Sequence, residues 1–486
     1  MLKKFKVIAF LIALIILYSC TMNDVNTNPK DNNTSSVENT VQPETENILS
    51  DNLPERNFEG YDFRMLIFEN LDEFGSGMYA EKEDGDIIND AIYERNLKVA
   101  ERFNVTISPV FYNRDWESRM QGSKSILAGD DAFDIMFLHM RVVFDYSGSH
   151  LLSEWFEYMP YVDLTAPWWS QDSVQDLSLF GKLYGAGGDI STAKLNNTMC
   201  LYFNKNLFQI LNIEYPYNDV INGTWTMNKF MSIIKDSTAD LNGDGAITPD
   251  ADRYGFAMRT IFYYPTTVPY CGGDKVIKKG SNGEPVLSIY NERVIDIFDK
   301  VLEMFSSEAA CLAGDKNYGN PQSIDIFKED RALFTDGTMA QMITFRAFEF
   351  DIGVLPIPKY DELTPNYYAL IEAHGGLITV PVTVSNYERT SIITEALCFE
   401  GYKTVIPVYY EKALKTKFAR DDESAEMLDY IKNSGVYDYG YSADKITSEL
   451  GTIGYFFLLH NPNMASLYAK NETPVLKNLE KLAEDY

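Results

Sequence analysis

The stretch EGYDFRMLIFEN (residues 59–70), followed by DIINDAIYERNLKVAERFNVTISPVFY (residues 86–112), decides the fold. The first piece alternates toward an apolar run and predicts a strand. In the second, Ile88, Ile92, Leu97, Val99 and Phe103 recur at near-helical spacing and lead into another strand beginning near Val105. Strand, helix, strand in that order is a βαβ unit, the building block of an α/β domain. DAFDIMFLHM (residues 131–140) adds a further apolar strand. Its C-terminal end carries polar groups, at the edge where open α/β sheets bind ligands.

Outward from this core, NERVIDIFDKVLEMFSSE (291–308) predicts a helix, and DGTMAQMITFRAFEFDIGVLPIPKYDE (336–362) returns to strand-like patterning that ends in prolines. From Asn386 onward the chain reads as mostly helical, and no internal repeat is visible. With 486 residues, 45% of them hydrophobic, the chain can bury a large core and is expected to form more than one domain.

The opening MLKKFKVIAFLIALIILYSC has a basic start, an apolar run of 11 residues from Val7 to Leu17, and small residues ending at Cys20. A spanning helix needs about 20 apolar residues, so residues 1–19 predict a secretory signal rather than a stable span. The LYSC end resembles the lipobox of bacterial lipoproteins, which implies that Cys20 is lipidated and anchors the mature chain to the outer, extracytoplasmic face of the membrane. An ordinary cleavage nearby is the alternative. Residues 20–56, rich in Asn, Thr, Ser, Asp, Glu and Pro, read as a disordered tether. Loss of Lys3, Lys4 and Lys6 with the signal would take the net charge from −29 to −32. So acidic a surface argues against nucleic acid and anionic lipid as partners. Cys200, Cys271, Cys311 and Cys398 show no CxxC spacing, which argues against a zinc site. Two disulfides or buried free thiols both fit them.

DLNGDGAITPDAD (240–252) is patterned like an EF-hand calcium loop. Asp240, Asn242 and Asp244 fall at positions one, three and five, Gly245 at six, and the Ala246 carbonyl at seven. Position twelve is Ala251, where a bidentate Glu is needed, but Asp250 and Asp252 flank it. The spacing predicts a weak structural Ca²⁺ site or a metal-free Asn/Gly turn. Pro249 and RYGF follow the loop instead of a second amphipathic helix, so a sensor role does not fit.

No HExxH or GxSxG occurs, and the four histidines are His139, His150, His374 and His460. Aromatic residues make up 14% of the chain, including Trp168, Trp169, Tyr263 and Tyr264, whose rings suit stacking on sugar faces or peptide groups if they line a cleft.

Several blocks together resemble the extracellular solute-binding proteins of bacterial ABC importers, family 1, the maltose-binding-like group. They are DAFDIMFLHM, GKLYGAGGDISTAKLNNTMCLYFNKNLFQ (181–209), INGTWTMNKFMSIIKDSTADLNGDGAITPDADRYGF (221–256), IFKEDRALFTDGTMAQM (326–342) with FDIGVLPIPK (350–359), and GGLITVPVTVSNYERTSIITEALCFEGYK (375–403). The resemblance implies an α/β fold of two interleaved lobes joined by hinge strands. Lobe 1 would comprise residues 57–189 and 330–377, and lobe 2 residues 190–329 and 378–486. It implies a monomer that is not an enzyme, captures a small polar solute by lobe closure, and delivers it to the permease subunits of an importer. Sugar is favoured, although the tryptophans usual at cleft positions are few. Matching motif positions place His139, Met140 and Arg141 at a strand end, and Asp189, Ile190 and Ser191 at the crossover. Tyr263 and Tyr264 fall in lobe 2, Arg346 after an AQMIT strand, and His374 with Gly375 before the last crossover. A lipid-anchored hydrolase with paired carboxylates is the alternative from another class, and an adhesion protein without a closing cleft is a third.

Overall fold

The computed structural model describes residues 49–485 apart from 69–75, 113–114, 260–261, 313–320, 346, 411–421 and 460–461. The signal, Cys20, Arg346 and His460 therefore lie outside the described residues. The strands are, in chain order, β1 (Tyr61–Phe68), β2 (Val105–Tyr112), β3 (Ile135–Leu138), β4 (Met199–Asn204), β5 (Tyr254–Ala257), β6 (Ile277–Lys279) and β7 (Pro285–Leu287). They continue with β8 (Ala310–Cys311), β9 (Ala332–Thr338), β10 (Ile352–Leu355), β11 (Ala369–Leu370), β12 (Leu377–Thr379) and β13 (Gly435–Val436).

Two main sheets result, with strand orders β12-β3-β1-β2 and β10-β4-β9-β5-β8. In the first, β1 pairs in parallel with β2 (Tyr61 opposite Val105) and with β3 (Met65 opposite Ile135), while β12 runs antiparallel to β3. In the second, β5 is parallel to β8 and β9, and β4 is antiparallel to β9 and β10. Every residue of β3, β4 and β9 is buried, as expected of strands covered by helices on both faces.

The helix Ile87–Phe103 closes the βαβ unit. Asp86 caps it by accepting from the N–H groups of Ile88 and Asn89, and Asn104 ends it in the left-handed region at φ 51°. Its buried stripe is Ile92, Arg95, Asn96, Val99 and Phe103, whereas Leu97 is 44% exposed. At about 100° per residue Leu97 falls off the face that Arg95 occupies. The Arg95 guanidinium instead donates to the carbonyls of Ile190 (2.6 Å) and Met78.

The strand pairing corrects two expected boundaries. Residues 330–377, expected in the lobe of the first sheet, carry β9 and β10 of the second, and only β12, which begins at Leu377, joins the first. Conversely, the helix Tyr387–Glu400, expected in lobe 2, packs on Ile87–Phe103, with Lys98 reaching Glu400 at 2.6 Å. The AQMIT segment is also not a strand, since Gln341–Phe345 is helical. Nor does order begin only at residue 57: Asp51 pairs with Arg102, and Arg56 with Glu388 at 2.9 Å. Among the described residues no helix is long and apolar enough to cross a membrane.

Close approach sets one glycine. A Cβ on Gly255 in β5 would lie 2.0 Å from the Ile234 carbonyl oxygen of helix Met227–Ser237. Gly255→Ala is expected to force helix and sheet apart and lower unfolding stability by roughly 1–3 kcal/mol in urea titrations. An unchanged midpoint would refute that packing.

Candidate functional site

The C-terminal end of β3 leads straight into His139, which caps the helix Met140–Gly148. Because β12 pairs antiparallel with β3 (Leu377 opposite Leu138), the turn Ala373–Gly375 is brought beside it. The second sheet reaches the same place from the other side: the Glu372 N–H donates to the Asn197 carbonyl at 2.9 Å, and Met339, just past β9, donates to Thr198 at 3.0 Å. Strand ends of both sheets thus converge on the segments 196–198 and 371–375.

Here the His139 and His374 rings stand perpendicular with centroids 4.7 Å apart. Glu372 accepts from the His374 N–H at 2.8 Å, and its carboxylate meets His374 Nδ1 at 2.7 Å. Burial, reinforced by His374, lowers the His139 pKa to about 3. Burial opposes ionisation of Glu372, but His374 and His139 outweigh it and hold its carboxyl at about 2. A neutral imidazole and an ionised carboxylate therefore offer electron pairs at neutral pH. A cavity of about 410 Å³ adjoins them, lined by Arg119, His139, Arg141, Val142, Asp145, Asp444 and Lys445. Its charges are largely paired: Arg119 and Lys445 both meet Asp145, and Arg141 lies 3.6 Å from Asp444 and over the Tyr441 ring. A larger groove of about 630 Å³ lies beside Lys205, Asp330 and Asp351, at the opposite end of β9 and so away from this convergence.

The expected site residues divide. His139, Arg141 and His374 are partly exposed in this group. Met140 and Gly375 accompany them as packing: Met140 is buried with its sulfur 3.7 Å from Ser442 Oγ, and a Cβ on Gly375 would sit 2.5 Å from Ile371. Asp189 lies elsewhere, pushed up to about 7 by burial and eased by Lys194 and Lys432. Ser191 is structural, its hydroxyl bonded to the Ser76 carbonyl. Tyr263 is buried beneath Arg259, and Tyr264 is fully buried against Phe230 and Phe256, so neither presents a face to solvent. Trp168 and Trp169 are likewise core residues, each indole N–H donating to Glu395 at 2.7 and 2.8 Å. Glu372 was missed, although it stands two residues before His374 in an otherwise apolar run. So were Tyr441 and Asp444, which come from the C-terminal helices.

In the 240–252 loop the carboxylates cap the loop's own backbone. Asp240 accepts from Gly243 and Gly245 at 2.6 and 2.8 Å, Asp244 from Ala246 at 2.9 Å, and Asp252 from Leu241 and Thr248 at 2.9 and 2.8 Å. Asn242 accepts from Asp244 at 2.9 Å. Gly243 and Gly245 take φ of 76° and 87°, as such a turn requires. These bonds hold the loop in a turn, and each carboxylate keeps lone pairs beyond those it uses on the backbone. Cys200, Cys271, Cys311 and Cys398 are all free and buried, which decides between the two readings of the cysteines.

No family sequence model and no curated protein sequence matches the chain. Solved structures do. The chain is similar to the GacH receptor of Streptomyces glaucescens, solved unliganded and with acarbose, at 11% identity over 88% of this chain and 98% of that one, with a TM-score of 0.52. It is similar to an ABC substrate-binding protein of Listeria monocytogenes in complex with cycloalternan, at 12% identity over 88% and 99%, TM-score 0.52. It also resembles a cyclo/maltodextrin-binding protein complexed with maltotetraose, at 14% identity over 87% and 98%, TM-score 0.56. The matches span 87–88% of this chain and 98–99% of each of the others, so the chain has the two-lobe α/β fold of these binding proteins.

Proposed function

We propose that this protein is an extracytoplasmic solute-binding protein, held to the membrane through lipid on Cys20, that captures a small polar solute and passes it to an ABC importer. The observation that supports this most is the convergence of strand ends from both sheets around His139, Glu372 and His374, in a fold whose solved relatives bind sugars. Sugar or oligosaccharide is the favoured solute class. The donors proposed for its hydroxyls are Arg141 and His139. Stacking tryptophans do not support the choice, since Trp155, Trp168, Trp169 and Trp225 are all buried.

Thermal unfolding of the purified chain against mono- and oligosaccharides, short peptides and amino acids tests the reading. A ligand at about 100 times its dissociation constant adds about 2.7 kcal/mol to stability. The expected result is one sugar class raising the midpoint with no product formed on long incubation. Consumption of the sugar would instead favour a hydrolase, and a peptide-only response would replace the solute class. A structural Ca²⁺ ion in the 240–252 loop is a separate proposal, supported by residue spacing alone. The same melts with calcium and with chelator test it.

A further inference from the structure

We propose that His139, Glu372 and His374 form a binding site for a divalent transition-metal ion. Among the described residues this is the one group of His, Cys, Asp or Glu side chains whose potential ligand atoms all lie within 4.8 Å of one another. Tetrahedral zinc with bonds of about 2.0–2.1 Å holds its ligand atoms roughly 3.3 Å apart, so small side-chain rotations suffice.

The surroundings fit a site of this kind. The first sheet fixes all three residues, with His139 at the end of β3 and the other two on the turn entering β12. The His139 ring is oriented by the Arg141 N–H, which donates to Nδ1 at 3.3 Å. An ion taken at Nδ1 would displace that bond, and one taken at Nε2 would need the ring proton moved from it. Two imidazoles and one carboxylate favour borderline ions such as Zn²⁺, Co²⁺ or Ni²⁺ over Ca²⁺ or Mg²⁺. Three protein ligands leave coordination positions open, and the adjoining cavity of about 410 Å³ offers room for water or a solute donor. The nearby cations Arg119, Arg141 and Lys445 are paired with Asp145 and Asp444, which moderates their repulsion of an incoming ion.

The proposal goes beyond solute capture and does not depend on the solute. The purified full-length protein, freed of metal by chelator, is titrated calorimetrically with Zn²⁺ and in parallel with Ca²⁺, with no sugar present. One equivalent of zinc is expected to bind in the micromolar range or tighter. His139→Gln and His374→Gln should each weaken it at least tenfold, while Asp240→Asn with Asp244→Asn leaves it unchanged. Co²⁺ added to the unsubstituted protein should give visible absorption bands of nitrogen coordination, a readout that survives any failure of the variants to fold. No zinc binding, unchanged affinity in folded His139→Gln and His374→Gln, or a cobalt spectrum like that of the aqueous ion would overturn the site. The chelator arm of the sugar melts contains no metal, so failure of either proposal leaves the other readable.

Discussion

Asp438→Ala is expected to lower the unfolding free energy by about 4 kcal/mol or more. Asp438 is 1% exposed and caps the helix Tyr439–Ser442 by accepting from the Gly440 N–H at 2.7 Å. The same carboxylate accepts from the Val276 N–H (2.6 Å), the Ile277 N–H (3.3 Å) and the Tyr270 hydroxyl (2.9 Å). One side chain thus joins the C-terminal helices to β6 and the turn before it. Alanine leaves these donors buried without their acceptor, at about 1–3 kcal/mol for each that finds no water. Asp438→Asn keeps one acceptor oxygen and should recover part of the loss. Denaturant titration read by tryptophan fluorescence measures both, and a cost below about 1 kcal/mol for alanine would show that water replaces the carboxylate and sink the account.

Glu395→Ala is expected to cost about 3 kcal/mol, and more at pH 5.5 than at pH 7.5. Its two oxygens accept the indole N–H groups of Trp168 and Trp169, and alanine orphans both in a buried site. Burial, opposed by those two indoles, raises the carboxyl from 4.5 to about 7. A carboxyl with a raised folded-state pKa binds its proton more tightly when folded. Its contribution is then complete below the unfolded value and is lost as pH climbs through the folded one. Asp189 and Asp336, raised to about 7 and about 6, act in the same sense, while His139 and Glu372, both lowered, act in the opposite one. Comparing variant with parent at each pH isolates Glu395. Equal costs at both pH values would disprove the raised ionisation without touching the hydrogen-bond account.

The sequence made the first sheet's βαβ unit and β3 legible because strand and helix there are written in local apolar periodicity. It did not make the partner of β9 legible. That strand is inserted between β4 and β5, and a fully buried run carries no mark of which sheet will accept it. AQMIT failed as a strand for a local reason: the Gln341 side-chain oxygen accepts the Thr338 hydroxyl at 2.9 Å and turns the chain into a helix. At the candidate site, His139 and His374 were legible as polar residues at the ends of apolar strands. Glu372 looked like one acid among many until β12 folded back beside β3. The tyrosines and tryptophans chosen for their rings proved to be core, because amphipathic aromatics fill interiors as readily as clefts.

The four buried thiols have a consequence of another kind. Burial drives all four pKa values upward, and only a thiolate reacts at speed. Cys200 and Cys311 sit in strands of the second sheet, while Cys398 lies on the helix packed against Ile87–Phe103. The chain therefore carries its own set of silent reporters, each deaf to an alkylating reagent until its neighbourhood breathes open. Their separate modification rates would time the fluctuations of the second sheet and of the Tyr387–Glu400 helix independently, with no residue changed.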